Sequence, residues 1–193
     1  MKETQEKPTG LPDNAFRPLK PGEKYEPLMS PGKTYPEVNL WSVTWGLVMA
    51  VIFSAAAAYL GLKVGQVFEA AIPIAIIAVG ISSATKRKGA LGENVMIQSI
   101  GACSGVIVAG AMPALYILQE KYPEMTVNFM QMFISSLLGG VLGILFLIPF
   151  RKYFVKDKHG EYPFPEATAS TQVLVSGEKG GDQAKPLLMA GLA

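Results

Sequence analysis

The stretch that decides the fold is Val64–Ala84, VGQVFEAAIPIAIIAVGISSA, an apolar run that carries one carboxylate and one proline. A run of about 20 apolar residues is long enough to cross a membrane as a helix. Within such a helix the charge of Glu69 is unfavourable, and Pro73 cannot donate the usual hydrogen bond to the carbonyl of residue 69. This position therefore indicates a path for an ion, a proton or a polar solute.

Three further apolar runs have the same length and character. Because they are apolar on every face, a soluble four-helix bundle with a polar stripe at helical period does not fit them. We predict an all-α, polytopic membrane protein with four transmembrane helices in residues 40–150. The predicted spans are about 40–62, 64–84, 95–118 and 127–150.

Small residues recur at four-residue spacing along three of these spans, and Gly46, Gly101 and Gly139 belong to these stripes. Such spacing lets helix backbones approach closely in lipid. The stripes indicate several packed membrane helices, but they do not distinguish a transporter from any other multi-helix membrane protein.

The regions outside the spans are polar. Residues 1–39 hold seven of the fourteen prolines and show no helical or strand period, which predicts a disordered tail. Residues 151–184 are predicted to be a cytoplasmic segment with one short helix. Residues 185–193 have the composition of the start of a fifth spanning helix, which favours a truncated larger protein.

Positive charges predict the orientation of the chain. Lys86, Arg87 and Lys88 follow the second span, and Arg151 and Lys152 follow the fourth. The positive-inside rule places these residues, and with them the N-terminus, in the cytoplasm. The predicted location is the cell membrane, inner or plasma, with several passes.

Composition excludes several classes of function. A net charge of +2 without a basic, aromatic-rich patch argues against nucleic acid as a partner. Cys103 and His159 are the only residues of their types, so the sequence offers no metal-ligand cluster and no nucleophile–base pair. We therefore predict no cofactor and no enzymatic activity.

Glu69 is the foremost candidate for function, because intramembrane acids usually face a bundle interior or a water-filled cavity and can exchange protons there. The alternative is a structural carboxyl near the membrane interface.

Lys63 lies between Gly61 and Gly65, a pattern that allows a broken helix with backbone groups exposed to a solute. The alternative is an ordinary hairpin whose lysine extends to the interface. Gln66 and Gln98 can bond a neighbouring helix or line a cavity.

Three stretches occur in order along the chain: YLGLKVGQVFEAAIPIAI (Tyr59–Ile76), ENVMIQSIGACSGVIVAGAMPALYIL (Glu93–Leu118) and EYPFPEATAST (Glu161–Thr171). They resemble successive blocks of the OPT superfamily of oligopeptide transporters, most closely its prokaryotic type. In the third block Phe-Pro-Glu stands where the family usually has Ser-Gly-Thr. The resemblance implies the N-terminal portion of a several-fold longer, proton-coupled carrier of short peptides, peptide-like compounds or metal chelates.

With this resemblance the predicted partners are the lipid bilayer, protons, a small peptide or chelate, and the remaining helices of the carrier. A predicted break in the helix comprises Gly61, Gly65 and Pro73. The predicted proton or substrate pathway comprises Glu69, Lys63, Gln66, Gln98 and Tyr59.

Two other interpretations stay open at this point. A non-transporting structural membrane subunit would be completed by a partner, with Glu69 pairing a basic group of that partner. A membrane-bound enzyme is the weaker alternative, because no spanning segment contains a histidine.

Overall fold

The structure, a computed structural model, describes residues 11–67 and 69–178. This part of the chain contains helices and no strand. The predicted start of a further span at 185–193 lies outside the described residues. A short 3-10 turn covers Asp13–Ala15, and π-helical segments cover Ile107–Ala111 and Tyr153–Asp157. The helices are α1 (Leu40–Val64), α2 (Ala71–Ala84), α3 (Leu91–Val106), α4 (Met112–Lys121), α5 (Phe129–Lys152) and α6 (Pro165–Glu178).

Helix α1 has a defined start and a defined end. At its start the Asn39 side chain accepts a hydrogen bond from the Ser42 N–H (2.9 Å), and Ser42 Oγ accepts one from the Asn39 N–H (3.1 Å), which forms a capping box. At its end Gly65 adopts the left-handed conformation (φ 69°) and its N–H donates to the carbonyl of Gly61. Of the predicted helix break, Gly65 therefore ends α1, whereas Gly61 lies inside the helix.

The second predicted span is shorter in the structure than in the sequence analysis. Helix α2 begins only at Ala71, and the described residues between Gly65 and Ala70 are not helical. Its 14 residues extend ~21 Å, less than the ~30 Å hydrocarbon core. Pro73 lies in the first turn, where its missing N–H has no helical acceptor to serve. Pro73 is therefore compatible with the start of α2. We had predicted that Pro73 belongs to a break within a helix, whereas in the structure it lies in the first turn of one.

Two helical stretches in the described part of the chain are long and apolar enough to cross a membrane: Leu40–Val64 and Phe129–Asp157. The prediction of an all-helical membrane protein is consistent with them, but four full spans are not confirmed. The third predicted span divides into α3, a π-helical segment and α4, which follow one another without a gap. A π-helical turn just before Pro113 is a recognised way for a helix to deviate from regular geometry.

Helices α1, α2 and α3 pack into one core. The side chains of Met49, Ile74 and Ile97, one from each helix, form the centre of a buried cluster. A Cβ added to Gly46 would lie 2.8 Å from Ile100 Cβ, and one added to Gly101 would lie 2.9 Å from Ile74 Cδ1. Small residues therefore do allow close approach at these two positions. At Gly139 in α5 an added Cβ would meet nothing within 4 Å.

The contacts give the relative directions of α1, α2 and α3. Helix α1 runs parallel to α3, because Asn39 contacts Glu93 at one level and Gly46 contacts Ile100 farther along. Helix α2 runs antiparallel to α3, with Ser82 bonded to Asn94 and Ile74 against Gly101. This arrangement agrees with a chain that passes back and forth across a membrane.

Helix α6 is the short helix predicted for residues 151–184, but it packs within the helical assembly. Leu174 joins Ala75 and Val79 in a second buried cluster, and a Cβ on Gly177 would lie 2.6 Å from Val79. Helix α6 therefore lies alongside α2 and runs parallel to it. By contrast, α5 buries none of its described residues.

Residues 11–39 belong to the tail predicted to be disordered, and in the structure they make several side-chain contacts. Arg17 donates two hydrogen bonds to Glu23, at 2.8 and 2.7 Å, and His159 Nε2 donates to the Asn14 carbonyl at 2.8 Å. Leu11 and Met29 of the tail line one cavity with residues of α3 and α6, and Met29 Cε would lie 3.4 Å from a Cβ added to Gly92 in α3. These contacts place the described part of the tail beside the helices, and the disorder predicted for residues 1–39 stays a prediction.

Candidate functional site

The position of α2 along α1 determines the depth of Glu69. Ile74 is level with Met49, which lies ~14 Å along α1 from Leu40 at 1.5 Å per residue. The first residue of α2, Ala71, is ~4.5 Å farther, so α2 begins near the midpoint of the ~37 Å long α1. Glu69, two residues earlier in a non-helical segment, therefore lies at or beyond the level of the α1 midpoint. A helix that began at residue 64, as predicted from the sequence, would have allowed a position near the interface.

A cavity of about 530 Å³ lies between α2, α3, α6 and the tail. Its polar lining comes from all three stretches that resemble family blocks: Glu69 from the first, Gln98 from the second, and Glu166, Ser170 and Thr171 from the third. This volume falls within the range of small-molecule sites, about 300–1,000 Å³. Distant parts of the sequence therefore converge on one space of ligand size.

The charge in this cavity is negative. Its described lining residues include the two carboxylates of Glu69 and Glu166 and no Lys, Arg or His. Both carboxylates are near helix N-termini, where the helix dipole stabilises negative charge. The arrangement favours a proton or a cationic group as occupant.

Three of the predicted pathway residues do not line this cavity. Tyr59 and Lys63 lie in the last turns of α1 and contact each other: Lys63 Nζ donates to the Tyr59 hydroxyl at 2.7 Å and lies 5.1 Å from the centre of its ring. Gln66 is exposed in the connection between α1 and α2. Of the predicted pathway, the structure thus brings together Glu69 and Gln98.

Glu166 was missed by sequence reasoning as a candidate for the site. It occupies the first turn of α6. The available signal was its place in the third stretch, where an acid stands in a segment that usually carries small polar residues. We had not foreseen that this segment lies beside the start of α2.

Glu93 is the second acidic residue that sequence reasoning missed, and it has a different environment. It is 2% exposed, and Arg87 Nε donates to its Oε2 at 2.7 Å. Asn39 Nδ2 donates to its other oxygen, and the Arg87 guanidinium lies 4.9 Å from the centre of the Trp41 ring. Hydrogen bonds from Arg87 lower the pKa of the Glu93 carboxyl, burial opposes the shift, and Asn39 adds to it. This cluster joins the starts of α1 and α3 at one end of the assembly.

No group of three or more His, Cys, Asp or Glu side chains in the described residues could hold a metal ion. The two carboxylates of the cavity therefore have no third ligand of these types among the residues that the structure describes.

Comparisons with known proteins show the family of the chain. The family described as OPT oligopeptide transporter protein matches residues 37–193. A Haemophilus influenzae protein named "Putative oligopeptide transporter" is 33% identical over 123 residues, 62% of this chain and 18% of that relative. No solved structure gives a significant match. Because the family match covers most of the sequence, the chain belongs to the OPT oligopeptide transporter family, whose members are membrane transporters.

Proposed function

We propose that this chain forms the first helices of a proton-coupled carrier for oligopeptides or related peptide-like or metal-chelate solutes. The name of the Haemophilus influenzae relative supports the substrate class, although the chain spans only 18% of that protein. The observation that carries the proposal is that Glu69 lines one cavity together with Gln98 and Glu166.

The geometry of the first connection suits a transport site. Non-helical backbone at membrane depth is tolerated where it lines a cavity, and carriers often bind substrate and coupling ions near the midplane beside interrupted helices. The segment from Gly65 to Ala70 has this character: the chain leaves α1 at one end and resumes a helix at about half depth. Glu69 is the residue in this segment that can carry a proton.

The orientation follows from the distribution of charge. Arg87 and the lysines beside it lie at the end of α2 that is level with the start of α1. Arg151 and Lys152 lie at the end of α5. Positive residues on the cytoplasmic side would place the N-terminus there, in the inner or plasma membrane.

The surface of α5 supports the presence of further helices. It is apolar along its length and none of its described residues is buried. The remaining helices of a carrier would cover part of this surface. The alternative function, a non-transporting subunit completed by a partner, would cover it equally well, so uptake is the observation that separates the two.

The test is proton-driven uptake by the carrier that contains this chain, reconstituted in liposomes with an imposed inward proton gradient and a labelled tripeptide. We expect Glu69→Gln to reduce the gradient-dependent uptake to background, because the amide cannot carry a proton. Glu120→Gln is the matched control: this exposed carboxylate in α4 does not line the cavity. Undiminished, gradient-dependent uptake by Glu69→Gln would overturn the assignment of Glu69, and absence of uptake by the unaltered carrier would favour the subunit.

A further inference from the structure

Part of the wall of the cavity is made by the chain's own N-terminal tail. Leu11, Tyr25, Leu28 and Met29 line the same space as Glu69 and the α6 residues. A short stretch of peptide, centred on Tyr25–Met29, therefore covers part of this cavity.

The tail is held by the turn that precedes α6. His159 Nε2 donates to the carbonyl of Asn14 at 2.8 Å, and the Tyr25 and His159 rings have centroids 5.1 Å apart. Gly160 has φ +72°, and a Cβ there would fall 2.2 Å from the backbone carbon of Arg17. Backbone is much harder to displace than a flexible side chain, so only a glycine fits this contact.

The tail also has structure of its own. The bidentate pair between Arg17 and Glu23 closes a loop, and the Lys20 N–H donates to Glu23 at 3.0 Å. The hydrogen bonds from Arg17 lower the pKa of the Glu23 carboxyl to about 2. Bidentate Arg–carboxylate pairs fix geometry as well as adding energy. At its other end the tail contacts α3, where a Cβ on Gly92 would lie 2.8 Å from the Pro36 carbonyl oxygen.

We propose that residues 11–36 are a strap that closes this cavity, held by the 159–160 turn, and that the strap must be released for a solute to pass. Its consequence for transport rests on the proposed function above. Closure itself is a contact between two parts of this chain and can be measured without transport.

The experiment measures access to the cavity. Cys103, the only cysteine in the sequence, is first replaced by alanine. Gln98→Cys then places a thiol in the cavity wall. The rate at which this thiol reacts with a bulky, water-soluble maleimide is measured on the 193-residue chain in lipid nanodiscs. Gly160→Ala is then added to displace the strap. We expect labelling about tenfold faster, the change in open population that ~1.4 kcal/mol of lost contact produces.

Gly89→Ala is the matched control. Gly89 also has a positive φ, +65°, but an added Cβ there would meet nothing within 4 Å. The two variants thus share the backbone strain of alanine at positive φ and differ in the contact with Arg17. Equal labelling rates in both would overturn the strap.

A second variant separates release from misfolding. Tyr25→Ala removes a ring that lines the cavity and contacts His159, whereas Tyr35→Ala removes a tail ring that does not line it. Faster labelling with Tyr25→Ala, together with faster tryptic cleavage after Lys33 and an unchanged helical circular dichroism signal, is the expected result. No change in either rate would contradict the proposal, whatever the outcome of the Glu69→Gln uptake experiment.

Discussion

Glu93 and Glu69 are both carboxylates in an apolar helical assembly, but their surroundings differ. Glu93 is 2% exposed and accepts hydrogen bonds from Arg87 and Asn39. Glu69 is exposed to a cavity, and no ion pair to it occurs among the residues that the structure describes. A buried charge with partners holds a structure together, whereas an accessible charge in a cavity is free to bind a proton or solute.

The comparison predicts opposite effects of substitution. Changes in the Glu93 cluster should lower stability, and changes at Glu69 should leave stability nearly unaltered while removing function. The free energy of unfolding of the chain in detergent micelles measures each of these effects.

The largest change is expected for Arg87→Ala. The substitution removes the hydrogen bonds from Arg87 to the buried Glu93 carboxylate and leaves the one from Asn39. It also removes the guanidinium that lies over the Trp41 ring. Breaking a buried pair by removing one partner costs ~3–5 kcal/mol, and we expect about 2 kcal/mol because the Arg87 side chain is 37% exposed and solvent screens it. Lys88→Ala, in the same loop, is the control. A loss no larger than that of Lys88→Ala would contradict a structural role for the pair.

An intermediate change is expected on acidification. Because the pKa of Glu93 is lowered in the folded protein, its contribution to stability is complete above the ordinary glutamate pKa of ~4.3 and is lost as the pH falls through the lowered value. Unfolding measured from pH 6 downward should show this loss in the unaltered chain. The Arg87→Ala chain should show less of it, and identical pH profiles would count against the ion pair as its source.

The smallest change is expected for Glu69→Gln. The side chain is exposed and its substitution disturbs no described ion pair, so the free energy of unfolding should change by less than about 0.5 kcal/mol. The same variant should lose proton-driven uptake. A destabilisation as large as that of Arg87→Ala would show that Glu69, too, is a structural residue.

Parts of the fold were accessible from sequence because they depend on local composition. The apolar runs identified α1 and α5, and the predicted end of the first span, at about residue 62, is close to the end of α1 at Val64. The start of α2 was not accessible, because Val64–Ala84 is apolar throughout and hydrophobicity alone does not distinguish extended from helical backbone.

The candidate site was accessible only in part, for a related reason. Glu69 and Gln98 stand out as polar residues within apolar runs, and both line the cavity. Glu166 and the tail reach it through contacts between segments far apart in sequence, such as Leu174 with Val79 and His159 with Asn14. A hydropathy pattern records none of these contacts.

The most direct test of the account is the distance between residues 69 and 166. If all residues after 150 were cytoplasmic and Glu69 lay at the outer interface, the two would be separated by about the ~30 Å hydrocarbon core. In the structure both line one cavity of about 530 Å³. Spin labels on Glu69→Cys and Glu166→Cys, in a Cys103→Ala chain in lipid nanodiscs, give this distance by double electron–electron resonance. We predict a single distribution well below the thickness of the core, and a distribution centred at or above that thickness would contradict the shared site.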